Sequence, residues 1–177
     1  VTAFLNYSDA AFILYSPFLV TTRLNAYYFG LNGEYKLKNN LVVSGKYGYV
    51  DVSDENSGNL LVFRLGKVFE SDITAGYEYY FYSFKTETQL YWSPKNFESH
   101  SIWGDWILYD DETFDFIIGG KIGLIPQNDF IVSEFYASIN YQIIKNLLFQ
   151  TRFTTGSSFR SNTGYRSTSL QASLIWG

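Results

Sequence analysis

The feature that most constrains this chain is a two-residue alternation of apolar and polar side chains between residues 114 and 154. In 114–124 the even positions are apolar or glycine, whereas the odd positions include Asp115 and Lys121. In 131–143 most odd positions are apolar, and the even positions include Glu134. Successive side chains of a β-strand point to opposite faces of a sheet. Each segment is therefore predicted to be a strand with one apolar face and one polar face.

The length of these segments points to a membrane rather than to a globular core. Strands of globular proteins usually have about 5–6 residues, whereas a tilted strand that crosses a bilayer needs about 9–11. The same alternation recurs along the chain and predicts ten strands, at 2–15, 23–37, 41–52, 59–70, 73–84, 97–109, 114–124, 131–143, 147–155 and 166–176. We therefore expect an all-β fold, an antiparallel up-and-down transmembrane β-barrel of about ten strands.

The predicted connections alternate between short polar turns and longer loops. The short turns are expected at 38–40, 71–72, 110–112 and 145–146, and the longer loops at 53–58, 85–96 and 157–164. A short connection at 126–129 falls on the side of the longer loops. This arrangement is typical of barrels in the bacterial outer membrane, whose periplasmic turns are short. The bacterial outer membrane is therefore the predicted location.

The chain is long enough for one domain, which we assign to residues 1–177. This barrel domain either stands alone or forms the C-terminal part of a longer chain. Residue 1 is Val and no Met occurs, so we expect a processed or truncated product. A removed signal peptide is the simplest explanation.

Composition excludes several other classes. Aromatic residues make up 20% of the chain and charged residues 17%, whereas an ordinary soluble domain has about 25% charged residues. No run of about 18 uncharged apolar residues occurs, which excludes a transmembrane helix. A net charge of −4 without a basic stripe argues against a nucleic-acid partner. Without Cys, neither a disulfide nor a thiolate metal site can form, and we expect no metal and no other cofactor.

A ring of aromatic residues is predicted at the short-turn end of the barrel. Aromatic side chains are enriched at the two membrane interfaces of such barrels, where their rings lie at the level of the headgroups. Outer-membrane lipid is therefore the first expected partner. The predicted aromatic girdle consists of Tyr35, Phe69, Tyr109, Phe114, Tyr141 and Trp176.

The polar face of the predicted strands would line the interior, and its charges balance. The predicted lumen-lining residues are Glu34, Lys36, Lys46, Arg64, Glu78, Asp105, Asp115, Lys121, Glu134 and Arg152. One interpretation is a set of ion pairs that fills a narrow interior. The other is a polar lining that passes or grips a solute. A pore selective for one sign of charge would show an excess of that sign, and none is visible.

Two alternative classes are retained. An omptin-like surface-loop enzyme would use His100, the only histidine, with Asp105 five residues later. No nucleophile and no second acidic pair can be singled out, so no catalytic residue is assigned, and we expect His100 to lie on a surface loop. A single His without Cys partners is also a poor metal site. A soluble β-barrel or β-sandwich that binds a ligand would instead turn the apolar faces inward.

One segment resembles a known family of barrels. Within 80–106, residues 91–99 read YWSPKNFES. This resembles the aromatic-Ser-Pro-x-x-aromatic-x-Ser pattern in the C-terminal barrels of tetratricopeptide-repeat outer-membrane proteins, which include cellulose and poly-N-acetylglucosamine exporters. The sequence TGYRS at 163–167, followed by an alternating strand, is similar as well. The resemblance covers roughly the last hundred residues and implies a barrel preceded by periplasmic helical repeats that guide a polysaccharide to the pore. Barrels of that family have more strands than are predicted here, and no helical repeat occurs in this sequence.

The sequence thus predicts an outer-membrane β-barrel that acts as the membrane anchor or the export pore of an envelope or surface assembly. Besides lipid, the candidate partners are other proteins of such an assembly and a polysaccharide. An open lumen would favour a pore, and a plugged lumen would favour an anchor.

Overall fold

A computed structural model describes residues 1–9, 14, 23–160 and 163–176. Its ten strands form one sheet in which each strand pairs antiparallel with the next along the chain. The strands are β1 (Thr2–Asp9), β2 (Asn25–Lys36), β3 (Leu41–Val52), β4 (Ser57–Val68), β5 (Ile73–Phe84), β6 (Phe97–Asp110), β7 (Phe114–Ile125), β8 (Phe130–Ile144), β9 (Leu147–Arg160) and β10 (Thr163–Trp176). The predicted fold class, all-β with ten antiparallel up-and-down strands, is confirmed.

Most strand boundaries follow the alternation, and two longer connections were predicted wrongly. The predictions 41–52 and 73–84 coincide with β3 and β5 at both ends. The loop predicted at 53–58 shortens to 53–56, and the one predicted at 157–164 is absent because β9 runs to Arg160 and β10 begins at Thr163. Most of these extra strand residues are polar or glycine, but their backbone groups pair with a neighbouring strand. Of the predicted first strand, β1 ends at Asp9, and most of residues 10–22 lie outside the described part of the chain.

The connections differ between the two ends of the strands. We call the end with the short turns the turn edge and the opposite end the loop edge. At the turn edge, residues 37–40, 69–72, 111–113 and 145–146 join the strands. Asn39 and Asp72 adopt positive φ there, at 62° and 55°, a region that Asn and Asp enter more readily than most residues. Asp111 accepts hydrogen bonds from the backbone N–H groups of Thr113 and Phe114 at 2.7 and 2.8 Å. These donors lower the pKa of Asp111 to about 2, so its carboxylate stays ionised and holds the turn.

Alternation gives the sheet two unlike faces. We call the face that carries Ile122 and Phe135 the outer face, and the one that carries Glu78 and Lys121 the inner face. Large apolar side chains are exposed along the outer face, and Leu170 of β10 is 74% exposed. The polar residues on this face include Asp51, Asn59, Glu98 and His100 towards the loop edge and Lys67 near the turn edge, whereas Thr151, Thr155 and Thr168 lie further from the strand ends. An apolar band therefore runs around the middle of the outer face.

The buried core lies on the inner face at the loop edge, where connections 53–56, 85–96 and 126–129 join the strands. Its cluster of buried residues comprises Ala26, Val50, Val52, Phe84 and Tyr91. Each of the first four is within two residues of a strand end at this edge. Residues 85–96 form the longest connection that the structure describes in full, and Tyr91 brings this loop into the core. The loop thus covers the inner face instead of projecting from the sheet.

The sheet is strongly curved, although its ends do not meet. Val1, beside β1, and Glu134 of β8 line the same cavity on the inner face. Within the described residues, however, no pairing joins β1 to β10. The closed barrel expected from the sequence is therefore open at this seam, since β1 pairs over its eight described residues with β2 alone. No helix in the described part of the chain is long and apolar enough to cross a membrane.

Two glycines provide a matched test of the strand packing. A Cβ atom on Gly76 would lie 2.5 Å from the Cα of Gly66 and would collide with the backbone of Leu65, whereas at Gly104 the nearest atoms are 3.7 Å away. We expect Gly76→Ala to lower the free energy of unfolding by about 1–3 kcal/mol, because strand backbones cannot move apart cheaply. Gly104→Ala should change it by less than about 0.5 kcal/mol. Urea unfolding followed by tryptophan fluorescence measures both, and equal effects would contradict this packing.

Candidate functional site

A buried carboxylate on β5 organises the inner face. The Glu78 side chain is 2% exposed, and the guanidinium of Arg64, opposite it on β4, donates to Oε2 at 2.6 and 2.5 Å. Lys121 of β7 donates to Oε1 at 2.7 Å and lies 4.0 Å from Glu134 of β8. Burying a carboxylate is costly unless charges and hydrogen bonds compensate it. These four residues, which we call the Glu78 cluster, meet this requirement with two cations and connect four strands.

A second polar cluster lies beside it, around Tyr136 of β8. The Tyr136 hydroxyl donates to Asp105 of β6, and the Arg152 guanidinium of β9 lies 3.8 Å from the centre of the Tyr136 ring. Gly119 makes this arrangement fit, because a Cβ there would lie 2.5 Å from both the Tyr136 ring and the Asp105 carboxylate. The glycine thus lets side chains from two flanking strands meet across β7.

All ten predicted lumen-lining residues lie on the inner face by strand alternation, but the structure does not bring them all together. Four of them form the Glu78 cluster, Asp105 and Arg152 belong to the Tyr136 cluster, and Asp115 accepts a hydrogen bond from the amide of Asn140 at 3.2 Å. The remaining three are Glu34, Lys36 and Lys46, near the turn edge. None of these three forms an ion pair within the described residues. Their role in lining a lumen stays a prediction.

The clusters leave open space on the inner face. A cavity of about 710 Å³ lies beside the Glu78 cluster. Strands β1 to β5, β7 and β8 all contribute to its wall. Its volume is within the range of ligand sites in proteins, about 300–1,000 Å³. Four of the inner charged residues are therefore joined in ion pairs, as one interpretation of the sequence required, but the inner side chains do not fill the interior.

The half of the inner face nearer the loop edge is aromatic, which the sequence interpretation missed. Tyr80, Tyr82 and Phe84 follow Glu78 on the inner side of β5, and the alternation of even positions contained this signal. Loop 85–96 folds over them. The ring centre of Trp92 lies 5.3 Å from that of Tyr82 and 5.0 Å from that of Phe97. The inner face thus changes from charged to aromatic along the strands.

Tyr91 fixes this loop in place. It is 3% exposed, and its hydroxyl donates to the Asp54 carboxylate at 3.0 Å while it accepts from the Asn56 amide at 2.8 Å. Asn56 also accepts from the backbone N–H of Thr86 at 2.9 Å. Burial raises the pKa of the Tyr91 phenol, so its hydroxyl remains protonated and able to donate. Buried hydrogen bonds between two connections therefore close the loop edge of the inner face.

His100 is not on a surface loop, contrary to the prediction. It lies within β6, because this strand begins at Phe97, and its Nδ1 is 2.5 Å from the hydroxyl of Tyr77 on the outer face. Asp105 is on the inner face, bound to Tyr136. Two residues five positions apart on a regular strand point to opposite faces, so His100 and Asp105 cannot form a catalytic pair. Among the described residues, no three His, Asp or Glu side chains converge as a metal site would require.

The six residues predicted as an aromatic girdle lie near the turn edge. They lie in or close to the ends of six strands and are Tyr35, Phe69, Tyr109, Phe114, Tyr141 and Trp176. Tyr35 is 69% exposed and Trp176 70%, and the rings of Tyr109 and Phe114 are 5.6 Å apart. Contact of these rings with lipid stays a prediction.

Comparison with known proteins supports the architecture rather than a family. No family model matches the chain, and no curated protein matches it. A solved structure titled "Bacterial polysaccharide outer membrane secretin" superposes with a TM-score of 0.70 at 7% sequence identity, over 86% of this chain and 57% of that chain. The fold is similar to that of an outer-membrane secretin. At this identity the likeness concerns the fold alone, and the chain spans less than two thirds of that structure.

Two glutamates on the inner face test the importance of the Glu78 cluster. Glu78→Gln removes the charge that both Arg64 and Lys121 bind, so we expect the free energy of unfolding to fall by about 1.5–3 kcal/mol. Glu34→Gln, on the same face but without an ion pair in the described residues, should cost less than about 0.5 kcal/mol. Urea unfolding of both variants measures the difference. A cost for Glu78→Gln no larger than that for Glu34→Gln would contradict the cluster.

Proposed function

We propose that this chain forms the wall of a β-barrel in the bacterial outer membrane and serves as a non-enzymatic export pore for polysaccharide. The observation that carries the proposal is the separation of the two faces. The outer face exposes large apolar side chains, such as Ile122 at 60% and Leu174 at 65%, while the inner face carries the Glu78 cluster. Soluble monomers rarely expose apolar patches larger than a few hundred Å², whereas a strand that faces lipid must present such a surface.

The order of residues across the outer face supports the same placement. The apolar band lies in the middle, and polar groups such as Asn59, Glu98 and His100 lie near the loop edge. The aromatic girdle lies at the turn edge. Membrane barrels have an apolar band bounded by aromatic residues at both interfaces. A soluble barrel or sandwich would need to cover this face, and within the described residues nothing covers it.

The envelope and polysaccharide parts of the proposal rest on two likenesses. The similar solved structure is titled a polysaccharide outer-membrane secretin. The pattern at 91–99 resembles polysaccharide exporters with tetratricopeptide repeats. The cavity beside the Glu78 cluster supplies polar space on the inner face, as an export path would require. Polysaccharide and other components of an envelope assembly are accordingly the proposed partners, in addition to lipid.

The seam between β1 and β10 must be closed in a membrane. Unpaired backbone groups cost several kcal/mol each in the hydrocarbon core, so open sheet edges do not occur facing lipid. We therefore expect both edge strands to be paired there, either with each other or with further strands. The number of strands in the assembled barrel then sets the width of the pore.

A membrane anchor is the second candidate. The packed cluster around Tyr91 favours it, because this cluster occupies part of the inner face at the loop edge. Conductance of the protein in planar bilayers separates the two candidates. Discrete channels support the pore, and their absence in protein shown to be inserted supports the anchor.

Consecutive isoleucines test the membrane placement. Ile118 lies on the outer face of β7 near its middle, and Ile117 lies on the inner face. We expect Ile118→Arg to destabilise insertion into lipid bilayers by about 2–4 kcal/mol, because it places a charge in the apolar band. Ile117→Arg should cost clearly less. Insertion is measured by the mobility difference between unheated and boiled samples in gels.

The unaltered protein should fold in detergent or lipid and show this heat-dependent mobility. It should also fractionate with outer membranes when it is expressed with a signal peptide. A folded, monodisperse protein in buffer without detergent would contradict the proposal. Equal costs for the two arginine variants would contradict the assignment of faces.

A further inference from the structure

A second cavity on the inner face adjoins the first. Its volume is about 230 Å³, and it lies between the Glu78 cluster and loop 85–96. Both cavities have Tyr80, Lys121 and Glu134 in their walls. The two spaces therefore adjoin at these three residues, one beside the charged Glu78 cluster and the other beside the aromatic rings.

The smaller cavity has an aromatic wall of three rings. Tyr80 projects from β5, Phe97 from β6 and Trp92 from loop 85–96. Phe97 packs edge-on against both of the others, with ring centres 6.0 Å from Tyr80 and 5.0 Å from Trp92. Such contacts hold the rings in fixed orientations. They give the cavity a rigid apolar surface in a setting that is otherwise polar.

Hydrogen-bonding groups line the rest of the smaller cavity. Ser99 supplies a hydroxyl, Lys121 an ammonium group and Glu134 a carboxylate. Together they offer both donors and acceptors. An apolar surface beside a few placed polar groups is the usual composition of a small-molecule site. The combination suits a ligand that has an apolar face and many hydroxyl groups at its edge, which is the chemistry of a sugar ring.

The charges of the larger cavity cancel. Its wall contains three cationic and three anionic side chains, which are Lys46, Arg64, Lys121, Glu34, Glu78 and Glu134. Two of the cations are bound to the buried Glu78 carboxylate. A path that selects a polyanion or a polycation would show an excess of the opposite sign. This lining instead suits a ligand without net charge.

We propose that the two joined cavities bind a segment of a neutral oligosaccharide. Tyr80, Trp92 and Phe97 contact the apolar face of a sugar ring, while Ser99, Lys121 and Glu134 hydrogen-bond its hydroxyl groups. This inference rests on the proposed polysaccharide export and names the charge class of the polymer and the place where the barrel wall holds it. A charged polymer would leave its charges unpaired along the balanced lining.

The test measures binding of three oligosaccharides of equal length to the full chain folded in detergent. They are a neutral glucose oligomer, an anionic uronate oligomer and a cationic glucosamine oligomer. Isothermal titration calorimetry should show the neutral oligomer binding at least about tenfold more tightly than either charged one. Trp92→Leu should weaken this binding by about tenfold or more, which is typical for loss of one apolar contact in a pocket. Trp106→Leu, on the outer face, is the matched control and should bind as the unaltered protein does.

A second variant addresses charge without touching the aromatic wall. Glu134→Gln keeps the shape of the side chain and leaves one uncompensated cation, so the affinity for the uronate oligomer should rise. The inference would be overturned if the neutral oligomer did not bind or if a charged oligomer bound the unaltered protein more tightly. Equal effects of the two tryptophan variants would overturn it as well. Heat-dependent gel mobility is measured on the same samples. Folded barrels that fail to bind reject the oligosaccharide site alone, whereas failure to fold in detergent rejects the proposed function as well.

Discussion

The ion pairs of Glu78 are the interaction on which the inner face depends. A carboxylate buried to this extent must be matched by cations, and Arg64 and Lys121 provide them from two different strands. The position of Arg64 opposite Glu78 follows from the antiparallel register of β4 and β5. Lys121 lies two strands away and reaches Glu78 across β6. The same carboxylate therefore joins non-neighbouring strands and compensates two of the cations of the lining.

This compensation shapes what the inner face can do. With three cationic and three anionic side chains, the wall around the larger cavity presents charged groups without an excess of either sign. Towards the loop edge the lining turns aromatic, and Tyr91 holds loop 85–96 across it through Asp54 and Asn56. A solute that travels along the inner face would leave a charged but balanced region and enter an aromatic one. The outer face is mostly apolar in its middle band, which fits contact with lipid in the proposed membrane setting.

Local alternation was sufficient to predict the strands but not their surroundings. Strands β3 and β5 were predicted at both ends because their apolar and polar residues alternate up to a turn. The loop predicted at 157–164 failed because its serines and threonines join the sheet through backbone pairing, which composition does not reveal. His100 was assigned to a surface loop because it follows the long connection 85–96, although it lies inside the strand predicted at 97–109, and β6 does begin at Phe97.

The site was predictable only in part. The alternation of side chains along each strand placed Glu78, Lys121 and eight other charged residues on one face. It did not predict the contact between Glu78 and Lys121, which spans β6. The aromatic half was visible in the even positions of β5, yet the inward fold of loop 85–96 was not, because Trp92 has no strand to fix its direction. Gly119 illustrates the same limit. Its role is to admit Tyr136 and Asp105 from flanking strands, and no pattern within one strand encodes that.

The central claim is that the apolar face meets lipid and the charged face meets an interior. Tryptophan fluorescence in vesicles of acyl-chain-brominated lipid tests it most directly, with variants that retain one tryptophan each. Trp103 and Trp106 are three residues apart on β6 and lie on opposite faces, 8% and 46% exposed. With the apolar face in lipid, Trp106 should be strongly quenched and Trp103 only slightly. Quenching of Trp103 that equals or exceeds that of Trp106 would contradict it.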